Sequence, residues 1–540
     1  MRNDASTLSP AADRLLDAAL EQLFKSPVAR APVSRSPRWL LAAMLLLGGA
    51  VVATVMWQVR NVPRDETQDP QATPIPAEVS GEGKAAIEAL PTTTTNLVAK
   101  LVDPRDLAVV ARFEGLRALR LWPLKSTFLG ISTGYHDAWS EPRADLLQPL
   151  AELLHLEVLA LPHRLAVTPG LLAPLAGHPS LREIQLERDA VVIDEVLVGA
   201  LARIPQLRSL HLRFVPLSGG TLRALAKLPL TSLQLDFCHG LDAEGWQALL
   251  TMRSLQRLAF TDWSWDTVPG RTDVQPGWRP TPDDLRLLHR LPGLRCLELL
   301  GCSVDDEQLA ALPDTLTTLH VLGTQLTPEG FAALRRFVKV RDLAIDAKPR
   351  GNTIADLFAP DSDAAADAFA TPLRSLRLRT LRYSGALTPA VVQAIGAQGD
   401  LRDLHITSKQ PAATAGTDLL RELTLRRLAW RAPVTTELLA ALAAQPHLRE
   451  LDLTASDLGS VAALATAPGL ERLALTQEGI GKGIAAASLA PLAGCPALRE
   501  LVVRVLVTRG AARPDQAELQ RAVGDRIRLQ LHETEFAEKR

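Results

Sequence analysis

Two short stretches carry residue types at spacings that could hold a charged ligand. Gly479, Gly481 and Gly483 surround Lys482 in GIGKG, offering backbone N–H groups and an ammonium to a phosphate. The preceding glycine spacing and the Ser or Thr after the lysine are both missing, so the stretch reads as a loop insertion. Asp361, Asp363 and Asp367 in APDSDAAADAF gather carboxylates as a cation loop would, but without the turn glycine and distal glutamate of a calcium loop. That run reads as a solvated insertion. Zinc-protease, nucleophile-elbow, P-loop and kinase signatures are all absent from the chain. Cys238, Cys296, Cys302 and Cys495 are scattered with no CxxC pair, which argues against a disulfide or zinc framework. The chemistry expected is therefore recognition without catalysis, cofactor or metal.

The residues suited to recognition sit beside leucines. In Ile204–Cys238, His211, Arg213 and Phe214 follow one leucine phrase, and Gln234, Asp236 and Phe237 follow the next. Of the seven tryptophans outside the leader, six fall between Trp122 and Trp278, with Trp139 in one long interval and Trp263, Trp265 and Trp278 in another. Exposed aromatics beside arginine are frequent makers of binding hot spots. The candidate site is thus Trp122, His211, Arg213, Phe214, Gln234, Asp236, Phe237, Trp263 and Trp265. The competing reading is that each insertion folds back and buries its own tryptophans; both hold if a folded insertion rims the site.

These residues need elements to position them, and the sequence supplies a repeating one. The phrase Leu-x-x-Leu-x-Leu, or an aliphatic or aromatic variant, starts at Leu116, Leu156, Leu181, Leu207, Leu230, Leu255, Leu294, Leu316, Val340, Leu378, Leu401, Leu425, Leu448, Leu470 and Leu498. Most intervals are 22–28 residues, and the three beginning at Leu116, Leu255 and Val340 are about 15 residues longer. Alternation as in Leu210-x-Leu212 suits a strand with one face in a core. The following runs, such as TPEGFAAL, TPAVVQAI and TTELLAAL, begin with Thr caps and suit short helices. One such coil buries too little to stand alone, so stacking is obligatory.

With these phrases in view, residues 95–540 resemble leucine-rich repeats, in particular the helix-containing ribonuclease-inhibitor-like and cysteine-containing subtypes. The resemblance implies an α/β solenoid of about fifteen repeats, with a curved parallel sheet inside and helices outside. Many such repeats place Asn after the strand; here that position holds Cys238, Cys302, Thr324 or Ser456, so the two cysteines are expected to pack as small buried residues. On the inner face, the residue between the last two leucines and the one after them should project: Arg120 and Trp122, Gln185 and Glu187, His211 and Arg213, Gln234 and Asp236, Glu298 and Leu300, Arg382 and Ser384, His405 and Thr407, Asp452 and Thr454. This mixed-sign surface suits a protein or peptide partner. With 59 basic and 60 acidic residues, the formal charge is -1, and no nucleic-acid partner is expected. Asn96–Ala111 is expected to give a first partial coil, and Ala517–Val523 with Arg526–Leu531 a last helix and strand, leaving HETEFAEKR as a polar tail.

The leader adds a location. Residues 1–38 form a basic segment in which Leu15, Leu16, Ala19, Leu20 and Leu23 share one helical face. Residues 39–59 are expected to be a transmembrane helix; Trp39 to Trp57 is free of charge and spans about 28 Å, near the hydrocarbon thickness of a bilayer. Basic residues concentrate before this span, which directs the N-terminus to the cytoplasm and the repeats to the outside, periplasmic or extracellular. Residues 60–94 read as a flexible Pro/Thr-rich tether. The function expected is a membrane-anchored scaffold that binds a protein or peptide. The alternatives are a transmembrane sensor working through the 11–24 helix, or a cytoplasmic adaptor if residues 39–57 do not insert.

Overall fold

A run of leucines at matched positions produces one continuous sheet. The computed structural model describes residues 79–101, 103–123, 144–162, 165, 167–187, 193–261, 280–347, 362–409, 420, 423–455, 461–477, 485–508 and 515–536. Among them 18 strands join in a single parallel sheet, each pairing with the strand that follows it in sequence. The strand Ser209–Arg213, for example, pairs residue for residue with Glu183–Glu187 on one side and Ser232–Asp236 on the other.

Alternation decides what each face receives. Leu210 and Leu212 lie in the core, as do Leu233 and Leu235 one coil on. Each fully buried leucine contributes about 1.5–3 kcal/mol, and each coil contributes three from its phrase alone. The neighbouring strand positions form rows across the opposite face, one of which runs Gln185, His211, Gln234 and Ala259. Larger core residues replace leucine at equivalent places: Phe260, Tyr383 and Trp430 are all buried. Tyr383 stacks on Phe369 at 5.3 Å, and its hydroxyl donates to the Ala386 carbonyl at 2.7 Å.

One backbone device recurs where coils enter the sheet. The carbonyl of Arg208 accepts from both Thr231 and Ser232, and that of Thr231 from both Gln256 and Arg257. The same doubled bond is made by Arg295, Arg341, Arg379, Arg402, Arg426 and Arg449. From the strand that begins at Ala118 to the one that begins at Glu500, it fixes the register of each coil at its first strand residue. The helices that close the coils are short, as in Glu195–Leu201, Gly219–Leu225 and Ala243–Leu249. Helices of this length are not stable in isolation. Their N-termini are secured by Asp194, Ser218 and Asp242, each accepting from the amide three residues on. Thr388 and Thr435 cap in the same way, and Thr327 accepts from Gly330 while bonding Asp306.

The turn after the strand uses small polar groups to bind adjacent coils. Cys238 Sγ reaches the Leu212 carbonyl at 3.5 Å, and Cys302 Sγ the Phe260 carbonyl at 3.8 Å. Thr324 Oγ1 donates to the Asp346 carbonyl at 3.4 Å. Ser456 lies outside the described residues.

Both ends differ from expectation. The repeat array begins at Val79 and not at residue 95: the strand Val79–Glu82 pairs with Asn96–Leu101, inside the stretch read as tether. Its core comes from Ile87, which packs so closely over Gly81 that a Cβ there would lie 2.7 Å from Ile87 Cγ1. At the other end the last strand runs Arg528–Phe536, pairing along its length with Glu500–Thr508, so more than half of the segment read as polar tail is strand. Arg526 stands where a phrase would begin with leucine, and its guanidinium donates to the carbonyls of Ala493, Cys495 and Pro496. No helix among the described residues is long and apolar enough to cross a membrane; the expected span at 39–59 lies outside them, as does the 11–24 helix.

Candidate functional site

The rim where the strands Ser209–Arg213 and Ser232–Asp236 end carries an unusual pair of aromatics. Phe214 donates its amide to the Asp236 carbonyl at 2.9 Å, and Phe237 its amide to the Thr261 carbonyl at 2.7 Å, so each turns sharply out of its strand. Both turn through left-handed backbone, with φ of 56° and 52°. The matching positions two and three coils beyond Phe237's strand hold Gly301 and Gly323, at φ of 72° and 71°. Glycine adopts this conformation freely, whereas a residue with a Cβ gives up about 1–2 kcal/mol. Two successive coils therefore keep phenylalanine where local energetics favour glycine.

The rings recover part of that cost from each other. They stack with centroids 5.0 Å apart and planes 15° from parallel, a contact that contributes about 0.5–1.5 kcal/mol. The Arg213 guanidinium lies 4.9 Å from the Phe214 centroid and 5.7 Å from that of Phe237. Its Nη1 is held by Glu187 at 2.9 Å. The result is a preformed patch of two rings and one oriented cation, with Phe214 36% exposed.

Two neighbours expected on the exposed surface are interior groups. His211 and Asp236 are 6% and 5% exposed and bond each other at 2.7 Å, because the register places them on adjacent strands, one diagonal step apart. Gln234 Nε2 adds bonds to both Asp236 oxygens at 3.1 and 3.3 Å. Burial would raise the Asp236 carboxyl, but His211, Gln234 and Thr261 together outweigh it and hold it at about 2. His211 and Asp236 thus form a buried floor beside the patch, and Gln234 is half-buried on the same face.

Further along the same face runs a chain of charges. Arg257 pairs with Glu298 at 2.6 Å, His320 lies 3.6 Å from Glu298 and 3.1 Å from Asp342, and Asp342 meets Arg382 at 3.3 Å. Burial opposes ionisation of Glu298 and Asp342, yet Arg257 and His320, respectively, lead the interactions that hold both carboxyls below their ordinary range. Burial would lower His320, and the two carboxylates raise it instead. Cys296, 3.6 Å from Glu298, has its thiol pushed well up, first by burial and then by that carboxylate. A His320 ring enclosed by two buried carboxylates and the Arg382 guanidinium, whose Nη1 lies 3.0 Å from Nε2, beside a thiol disinclined to ionise, is poorly placed for acid–base or nucleophilic work. This chain could have been found by reading the first strand residue of each coil together with the two used above, since Arg257 and Asp342 occupy that third inner position.

The remaining candidates are scattered. Trp122 is 36% exposed at the end of the strand Ala118–Pro123, three strand spacings, or about 14 Å, from the Arg213 row. Trp263 and Trp265 lie outside the described residues, as do Trp139, Trp278 and the 479–483 loop. Trp246 and Trp430 are core residues. Asp363 opens the helix Asp363–Leu373 and Asp367 accepts from Thr388 Oγ1 at 2.5 Å, while Asp361 lies outside the described residues. No cluster of His, Cys, Asp or Glu among the described residues is arranged to hold a metal ion.

Sequential parallel strands, short closing helices and buried leucine phrases define an α/β solenoid of the leucine-rich-repeat type. No protein-family model and no curated protein matches the chain. Among solved structures, the crystal structure of a TLR13–ssRNA13 complex matches 84% of this chain and 83% of its own, with 14% identity and a TM-score of 0.35, a likeness too distant to bear on ligand or mechanism.

Proposed function

We propose that this protein is a membrane-anchored, non-enzymatic recognition scaffold that binds a protein or peptide at the rim formed by Arg213, Phe214 and Phe237. The observation that carries the reading is the retention of two phenylalanines at left-handed positions, stacked on each other and under an arginine. Glycine would serve a purely structural turn about as well without the strained backbone, so the rings are explained by what they offer a partner. The mechanism is preorganisation: the patch is fixed before binding and little side-chain freedom remains to be lost. Residues 39–57 hold the scaffold to the membrane, with the repeats outside and residues 1–38 in the cytoplasm.

The test is crosslinking of the full chain in intact cells, comparing wild type with a Phe214→Gly, Phe237→Gly double variant. Partners captured by wild type should be lost from the variant. Equal recovery of the same partners by both would place the site elsewhere. Protection of the repeats from external protease in intact cells would overturn the assigned orientation.

A further inference from the structure

A second surface lies at the opposite end of the strands, where the coils enter the sheet. In five consecutive coils the residue after the first apolar residue of the phrase is arginine: Arg341, Arg379, Arg402, Arg426 and Arg449. All five side chains are exposed. The row is a backbone ladder, since each arginine's amide after the first donates to the carbonyl of the arginine before it, at 2.7–2.9 Å. The cations therefore stand one strand spacing apart, along a line of about 19 Å. Exposed Lys339 and Arg377 flank it, and Asp400 is the one acid at the equivalent flanking places in these coils. Thr317 precedes the row, and Glu471 ends it by pairing with Arg449.

Like charges directly across a strand pair destabilise a sheet. A structural purpose accounts for part of the pattern: Arg341 and Arg402 each turn Nη1 back onto two carbonyls of their own turn, as Arg208 and Arg295 do in earlier coils. That purpose does not need five in succession. In the earlier coils the same position varies, through Arg117, Glu157, Arg182, Arg208, Thr231, Gln256, Arg295 and Thr317, with no more than two arginines in succession. Nor does it cover Arg379 and Arg426, whose side chains make no hydrogen bond or ion pair among the described residues.

We propose that this row is a docking surface for an acidic, extended polypeptide segment. Guanidinium groups match carboxylates in bidentate fashion. An extended chain presents every second side chain to one face, about 6.6 Å apart, so three or four acidic residues fit along the row. The body of the protein is close to neutral, at a formal charge of -1, which lacks the broad positive field a nucleic acid or other dense polyanion requires. A local acidic run on a polypeptide answers a local basic one.

Anisotropy of fluorescein-labelled decaglutamate, titrated with purified full-length chain in detergent micelles, tests this. Wild type should bind with an affinity that falls as salt rises, and more tightly than it binds labelled oligothymidylate or a heparin oligosaccharide. An Arg379→Glu, Arg426→Glu variant should bind decaglutamate at least about tenfold more weakly with its melting temperature unchanged, whereas Arg208→Glu, Arg295→Glu should bind like wild type. The proposal is overturned if decaglutamate does not bind, if both variants lose binding equally, if the oligothymidylate or heparin probe binds better, or if the first variant loses binding only together with its thermal stability.

Discussion

At the scale of single residues, the decisive feature is a mismatch between local preference and identity. Phe214 and Phe237 occupy backbone that Gly301 and Gly323 serve two and three coils beyond Phe237. Replacing Phe214 by glycine removes a strained conformation and one half of a ring stack, two effects of similar size and opposite sign. The melting temperature of Phe214→Gly should therefore stay within the shift produced by about 1 kcal/mol. His211→Ala behaves differently, because it leaves Asp236 ionised and buried with one partner fewer. Its cost should reach at least about 2 kcal/mol, and Asp236→Asn introduced alongside should return part of it. A double-mutant cycle on thermal or denaturant unfolding measures this; additive losses would show that the two side chains do not stabilise each other. The identities of the patch residues were legible in the sequence. Their separation into a rim and a buried floor was not, since the Leu-x-x-Leu-x-Leu pattern shows which way a side chain points but not how closely its neighbours crowd it.

At the scale of the element, each strand contributes three inner positions, and the rows they build set opposing responses to pH. His320 sits between Glu298 and Asp342, which lift it above its ordinary value of 6.5. Its contribution is fully present below about 6.5 and disappears as pH rises through the raised value. His405 is lowered to about 3, first by burial and then by Arg382 and Arg427. It folds neutral, so its contribution is present above about 6.5 and declines as pH falls from there toward 3. Melting temperatures measured from pH 4 to 9 should show a shallower acid limb for His405→Gln and a shallower alkaline limb for His320→Gln. Profiles parallel to wild type in both would refute the assignment. The strands were read correctly from leucine spacing, as were the helices capped by Thr388 and Thr435, whereas the run after Thr327 is a 3-10 turn starting at Gly330. The first strand, Val79–Glu82, escaped because a four-residue segment with two glycine or serine positions carries no periodicity, and only its pairing with Asn96–Leu101 creates it.

At the scale of the whole molecule, every strand among the described residues bonds only its sequence neighbours, so stability is built coil by coil. A core truncation should act locally. Leu210→Ala should cost about 2–5 kcal/mol and abolish hydrogen-exchange protection in the coils from Glu183 to Asp236, while amides in Glu450–Gln477 keep theirs. Uniform loss along the chain would mean a single cooperative unit. The repeat count was close to complete in the sequence because each phrase has the same internal spacing. The ends were not, because terminal coils replace the phrase: in the last coil Arg526 bonds three carbonyls of the preceding coil while its neighbour Ile527 enters the core.

The doubled bonds at the coil entrances also leave an optical signature. A carbonyl that receives two N–H donors has a softer C=O stretch than one receiving a single donor. The doubled acceptors Arg341, Arg379, Arg402 and Arg426 mark the starts of successive coils. An isotopic carbon placed at any one of these carbonyls would give an infrared band on the low side of the sheet absorption. That band would report, coil by coil, whether the next turn of the solenoid is seated.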